Sequence, residues 1–264
     1  MTERVITEFR DGIAEVILNR PEQHNGLDVP MFAAIVDAGK ALLDRKDLRC
    51  VILRGEGKSF CAGLDFKSVM QDPDGIYKAF NYDEGDVADH AQLVSLIWRR
   101  VPVPVIAAIR GACLGGGMQL ALGADIRIAA PDAKLSVMEI NYGLIPDMGI
   151  SITLPELVGS DVAKELTWTG RKLTGQQAAA LGLVTHVAAD PVAAARELAA
   201  EILTRSPDAI RDGKTLLNSA YELRVAQLLK MEADMQQKLL GSANQMAAVQ
   251  ATMLKQPPSF RDPA

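Results

Sequence analysis

Two short apolar runs, Cys50-Val51-Ile52-Leu53 and Val105-Ile106-Ala107-Ala108-Ile109, each lead into a glycine-bearing turn, and this pairing most constrains the fold. Runs so short and so apolar read as fully buried strands. The first turn is Cys61-Ala62-Gly63-Leu64-Asp65, the second Leu114-Gly115-Gly116-Gly117-Met118. Three glycines entering a helix expose backbone amides at the positive end of its dipole. Such amides can hold an oxygen that turns negative during a reaction. The same glycines also permit close strand–helix packing, so the turns alone leave both readings open.

A nucleotide site is the first idea to test, because Gly55-Glu56-Gly57-Lys58-Ser59 ends like a phosphate-binding loop. That loop needs a glycine five positions before its Gly-Lys-Ser, and the position holds Ile52. Gly55 and Gly57 therefore read as a plain turn after the strand Arg49–Arg54.

Around these runs the chain organises itself. Alternating residues on either side of Asp11-Gly12 predict a hairpin over residues 5–19. Pro30 opens an amphipathic helix to Leu43, and a helix spans Val87–Arg100. Between them, residues 71–86 read as an acidic, loop-like insert. A short helix Met118–Leu122 and a strand Ile126–Ala129 follow the second turn. Strand, strand, helix thus recurs, which gives an α/β class with mixed layers. Residues 1–190 form this core. Residues 191–264 are helix-forming, punctuated by Pro207 and Gly241. Within them Tyr221–Leu240 carries methionine and leucine at helical spacing, as core or subunit-interface filler.

Composition excludes several functions. The net charge is −5, with no basic block and 5% aromatics, which argues against a nucleic-acid surface. The uncharged run Gly111–Ala124 is too short and too rich in glycine to span a bilayer. Met1-Thr2-Glu3-Arg4 begins no signal peptide. Three cysteines (Cys50, Cys61, Cys113) fit no disulfide framework, and His24, His90 and His186 lie too far apart for a zinc site. The expectation is a cytoplasmic, metal-free protein. Cys61, Cys113, Trp98 and Trp168 read as packing residues.

Further stretches join the two turns: Leu18-Asn19-Arg20-Pro21-Glu22, Pro104–Ala108 with Gly111, Ala124–Ala129, Gly143-Leu144-Ile145-Pro146, and Ala178 with Ala180–Val184. In this order and spacing the chain resembles the crotonase superfamily, the enoyl-CoA hydratase/isomerase family. The resemblance implies a crotonase-like spiral of ββα units, C-terminal helices that assemble trimers or hexamers, and an acyl-CoA substrate with no further cofactor. It assigns an oxyanion hole to the amides of Leu64 and Gly116, beside Gly115. It runs the CoA moiety past Glu22, Gln23 and His24 and along the backbone of Ala62, Gly63, Leu64 and Asp65. Lys255 matches a family lysine that reaches the nucleotide end from a neighbouring subunit; it reads equally as a solvated lysine of the tail.

The acids set the reaction within such a family. Hydratases carry two glutamates; here the later one is Glu139, while the earlier position holds Gln119. An amide orients water but does not take its proton at neutral pH. Eight residues after Glu139 stands Asp147, the spacing of the dienoyl-CoA isomerase branch. That resemblance implies double-bond migration, with Asp147 as base and Glu139 as acid, or Glu139 alone shuttling one proton. Asp147 also suits the N-cap of a helix Met148–Leu157. A 2-enoyl-CoA hydratase using Glu139 and Gln119 is the alternative, and a catalytically silent acyl-CoA-binding protein on the same fold a further one.

Overall fold

The computed structural model describes residues 3–263, with the backbone alone at 73, 76 and 77. β1 (Val5–Arg10) and β2 (Ile13–Leu18) form the expected antiparallel hairpin. Asp11 and Gly12 at its tip both have positive φ, 50° and 82°, the backbone a tight two-residue hairpin turn requires. Asp28 then caps α1 (Val29–Lys40) by accepting the Met31 amide, with Pro30 in the first turn.

β3 (Cys50–Gly55) leads to α2 (Phe66–Gln71) and α3 (Pro73–Lys78). The stretch 71–86, expected as a loop, thus contains a helix. Its cause is local: the Asp72 carboxylate accepts the Gly75 amide at 3.0 Å, and Pro73 stands at the first helical position. α4 (His90–Arg100) begins three residues later than expected, because Asp89 and Gln92 form a reciprocal capping box. Val87 is left in solvent.

Then come β4 (Val105–Ile109), β5 (Ala112–Leu114), α5 (Gly116–Leu122), β6 (Ile126–Ala129) and β7 (Lys134–Ser136). α6 (Ile150–Thr153), α7 (Ser160–Thr169), β8 (Leu173–Thr174), α8 (Gly175–Ala180) and β9 (His186–Val187) complete this part. Two sheets result. The larger has the order β1-β2-β3-β4-β6-β9 and the smaller β5-β7-β8. After the first hairpin every pairing in the larger sheet is parallel. The chain makes a large-sheet strand, steps to the small sheet, and returns through helix: β4 to β5 to α5, then β6 to β7. After β3 the same step is made by Cys61, which bridges Cys113 in parallel. This is the expected repeat of strand, strand and helix.

Alternation along the parallel strands covers both faces. Val51, Leu53, Val105, Ala107 and Ile109 point into the main core, where Trp98 is fully buried. Cys50, Ile52, Ile106, Ala108 and Ile128 face the other way, against Val192, Ala195 and Ala199 of α9 (Pro191–Leu203). The first helix of the 191–264 region therefore covers the large sheet.

α10 (Pro207–Ser219), α11 (Val225–Leu239) and α12 (Ala243–Leu254) follow, with Pro207 opening α10 and Gly241 turning the chain after α11. The helical run expected from Tyr221 starts at Val225, because Tyr221–Arg224 turn the chain after α10. α11 buries none of its residues, and Val225, Leu229 and Leu240 stand in solvent. Trp168, expected as packing, is 68% exposed at the end of α7.

Lys214 ties α10 to the core. Its ammonium reaches Asp125 Oδ2 at 2.7 Å and the carbonyls of Trp98 and Val103 at 2.9 and 3.0 Å. Removing the cation leaves two carbonyls without their donor and a half-buried carboxylate with only the Val105 N–H. Lys214→Met should lower unfolding free energy by about 3 kcal/mol, read from urea denaturation at neutral pH.

Candidate active site

The two glycine turns lie against each other. A side chain at Gly63 (φ 86°) would put its Cβ 2.5 Å from the Leu114 carbonyl oxygen and 3.4 Å from the Gly116 nitrogen. One at Gly117 would run into the Cys61 carbonyl. Backbone bonds hold the turns in this contact: Cys61 N–H donates to Ala112 O at 2.9 Å, and Leu114 N–H to Cys61 O at 3.0 Å.

The direction of each amide follows from its peptide plane. Leu27 N–H donates to Gly63 O at 2.8 Å, and Asp65 N–H returns to Leu27 O at 2.9 Å. A trans peptide sets its N–H opposite its C=O, so anchoring Gly63 O turns the Leu64 N–H away from Leu27. Gly115 O accepts Gln119 N–H at 3.0 Å along α5, which leaves the Gly116 N–H at the open end of that helix. Neither amide has an acceptor among the described residues. Leu64 and Gly116 both line one cavity of about 400 Å³.

Glu139 and Asp147 line that cavity too. Glu139 opens the 3-10 turn Glu139–Tyr142 and lies over Gly115, where a Cβ would stand 3.5 Å from its Oε1. Gln119 Nε2 donates to that Oε1 at 2.7 Å, while Gln119 Oε1 accepts the Met148 N–H at 2.8 Å. The backbone donor thereby fixes which end of the Gln119 amide faces Glu139. Glu139 Oε2 is buried and has no partner among the described residues. Burial, and then the nearby Asp147 charge, push the Glu139 carboxyl above its ordinary pKa.

Asp147 is not a helix cap. The helix it was expected to open is only the short α6, whose N-cap is Gly149 at φ 80° with no side-chain bond. The Asp147 carboxyl is instead raised by burial and by the charge of Asp89 at the head of α4.

Of the remaining expected residues, Ala62, Gly63, Gly115 and Gln119 line the cavity. Glu22, Gln23 and His24 do not; they are exposed beside it, joined to the first turn by Ala62 N–H donating to His24 O at 3.0 Å. His24 Nδ1 lies 3.0 Å from Ser59 Oγ. The Asp65 carboxylate turns away to Arg20 and Ser68 and caps α2. Lys255, exposed at the end of α12, lies apart from the cavity lining. Cys61 and Cys113 are fully buried, and burial pushes the Cys61 thiol up to about 12, as suits packing.

Sequence reasoning missed much of the wall. Phe66 and Tyr142 meet with ring centroids 4.3 Å apart, and Phe80, Leu144 and Ile145 are among the other lining residues. Phe66 directly follows the first turn and Tyr142 follows Glu139 by three residues, which were the available signals.

With this geometry in hand, comparison with known proteins is direct. The model of the enoyl-CoA hydratase/isomerase family matches residues 8–263. Mitochondrial enoyl-CoA hydratase domain-containing protein 2 of Bos taurus is 34% identical over 94% of this chain and 84% of its own. Human mitochondrial delta(3,5)-delta(2,4)-dienoyl-CoA isomerase is 33% identical over 94% of this chain and 78% of its own. The crystal structure of an enoyl-CoA hydratase from Bacillus anthracis superposes with a TM-score of 0.86 at 30% identity, covering 97% of this chain and 98% of that one. The chain belongs to the enoyl-CoA hydratase/isomerase family and has its crotonase fold.

A carboxyl whose folded pKa is raised contributes stability below its unfolded pKa and loses it as pH rises through the folded value. For Asp147 the ionised form at neutral pH is therefore a cost. Asp147→Asn should raise the melting temperature at pH 7, and the gain should vanish below the ordinary aspartate range. Calorimetry over that pH span checks it.

Proposed function

We propose that this enzyme moves a carbon–carbon double bond along an enoyl- or dienoyl-CoA by carboxylate proton transfer. One observation carries the proposal. Two carboxyls lifted by burial face one cavity, while the position that would hold a second water-binding glutamate is an amide locked by the Met148 N–H.

The steps follow from these groups. Asp147, ionised, takes the proton from C2 of a 3,5-dienoyl thioester, and the C–H electron pair moves to the thioester oxygen. The free amides of Leu64 and Gly116 hold that oxygen, and its charge spreads along the dienolate. Glu139, in its protonated form, returns a proton at C6, giving the conjugated 2,4-dienoyl product. With a 3-enoyl substrate Glu139 alone serves both ends. The apolar wall of Phe66, Phe80, Leu144 and Ile145 takes the hydrocarbon chain and keeps water from the dienolate. The CoA portion runs past Glu22, Gln23 and His24. The exposed apolar residues of α11 support self-association, which offers Lys255 to a neighbouring subunit's CoA.

Asp147→Asn keeps shape and removes proton acceptance, so dienoyl-CoA isomerisation should fall roughly a hundredfold or more. Glu139→Gln should impair every proton transfer at the site. An active Asp147→Asn beside a dead Glu139→Gln would replace the two-acid scheme by a single-glutamate 3-enoyl isomerase. Rates on 2-enoyl-, 3-enoyl- and 3,5-dienoyl-CoA, followed by ultraviolet absorbance, decide between classes; fast hydration without migration would make the enzyme a hydratase. The amide assignment has its own test. Gly116 is the first residue of α5, where proline is accepted, and the nearest atoms to a Cβ there are the ends of the Leu27 and Met148 side chains, at 2.9 and 3.0 Å, which can give way. A folded Gly116→Pro variant lacks the donor and should lose on the order of a hundredfold in kcat.

A further inference from the structure

Arg20 is 9% exposed, and the steps above do not use it. A buried guanidinium has to satisfy its donors nearby, and the partners of Arg20 flank Leu27 and follow Leu64. Its Nη1 donates to Gly26 O at 3.1 Å, and its Nε lies 3.6 Å from Asp28 Oδ2. Its Nη2 meets Asp65 Oδ2 at 2.8 Å and Ser68 Oγ at 3.4 Å. Gly26 and Asp28 are the two neighbours of Leu27; Asp65 is the residue after Leu64. One planar cation therefore spans the parallel bridge between Leu27 and Leu64, the bridge that turns the Leu64 N–H away from Leu27.

The loop carrying Arg20 is itself fixed. Asn25, fully buried, accepts the Arg20 N–H at 2.9 Å and donates to the carbonyls of Ser59 and Phe60 at 2.8 and 3.1 Å. Asp28 is tied to α1 by its cap and to Arg4 at 2.7 Å, and Asp65 is tied to α2. The guanidinium thus joins two helix starts across the bridge. Lysine, a point charge, lacks the planar fork that meets both carboxylates and the carbonyl together.

We propose that Arg20 is a positioning residue that aims the Leu64 amide at the thioester oxygen by clamping the Leu27–Leu64 bridge from both sides. The inference rests on the amide assignment above but not on which reaction the enzyme catalyses.

The test uses the whole enzyme with a 2,4-dienoyl-CoA as a chromophore, since polarising its carbonyl moves the absorbance to longer wavelength. Arg20→Lys shortens the fork. Asp65→Asn removes the ion pair and keeps the α2 cap, so one variant retains the local fold. In both, the red shift of the bound chromophore should largely disappear. The kcat should fall by roughly a hundredfold, the scale of a small misplacement, while KM stays within roughly threefold. Folded variants with a full red shift and wild-type kcat per folded molecule would overturn the proposal, even with a lower melting temperature. A wild-type enzyme that binds the chromophore without any shift would overturn the amide assignment itself, and the role of Arg20 with it.

Discussion

The backbone contact between the two glycine turns is the constraint on which the rest of the site depends. Gly63 and Gly117 sit where a Cβ would strike the opposite turn's carbonyl, so the approach exists only because neither has one. From it follow the Cys61–Cys113 bridge, the step of the chain into the small sheet, and the placing of two unsatisfied amides on one cavity. The donors are main-chain groups inside a fixed ladder. As main-chain groups they have no side-chain rotamer to order.

The chemistry sits against this frame at a cost to stability. Glu139 and Asp147 both have their neutral forms favoured by burial, so each ionised carboxylate weakens the fold at neutral pH. Asp89 links the two sides of the balance. It stabilises α4 through a reciprocal cap, and its charge adds to burial in raising the Asp147 carboxyl. The stabilising work is done elsewhere, by the doubly covered parallel sheet and by ties such as Lys214 to Asp125.

Much of this was legible in the chain. The Asp11-Gly12 hairpin, the apolar strands and both glycine turns carry local signals, and their structure follows from backbone chemistry alone. The acids were legible as residues, but the role of Asp147 depended on a neighbour. Gly149 at φ 80° takes the N-cap position and shortens the helix, which leaves the Asp147 side chain to the cavity. The Asp72 cap that makes α3 and the Asp89 box that delays α4 were short-range signals passed over. Arg20 and the Phe66–Tyr142 contact were not legible, because each joins segments whose meeting only the tertiary path decides. The exposed Trp168 shows the converse, an aromatic residue whose surroundings local sequence does not fix.

Gln119 shows how one backbone donor narrows the chemistry. A glutamine amide can turn either end toward its neighbour, and composition does not say which. Here the Met148 N–H occupies its oxygen, so only the NH₂ end reaches Glu139. That donor steadies one carboxylate oxygen and leaves the other free, and it offers no acceptor for the proton of a water molecule. Met148 directly follows Asp147, so the segment that delivers the second acid also fixes the amide. The placing of Asp147 in the cavity and the end of Gln119 that faces Glu139 are therefore set by a single stretch of chain. A shift of that stretch would alter both together, which couples the placing of Asp147 to the orientation of the amide that restrains Glu139.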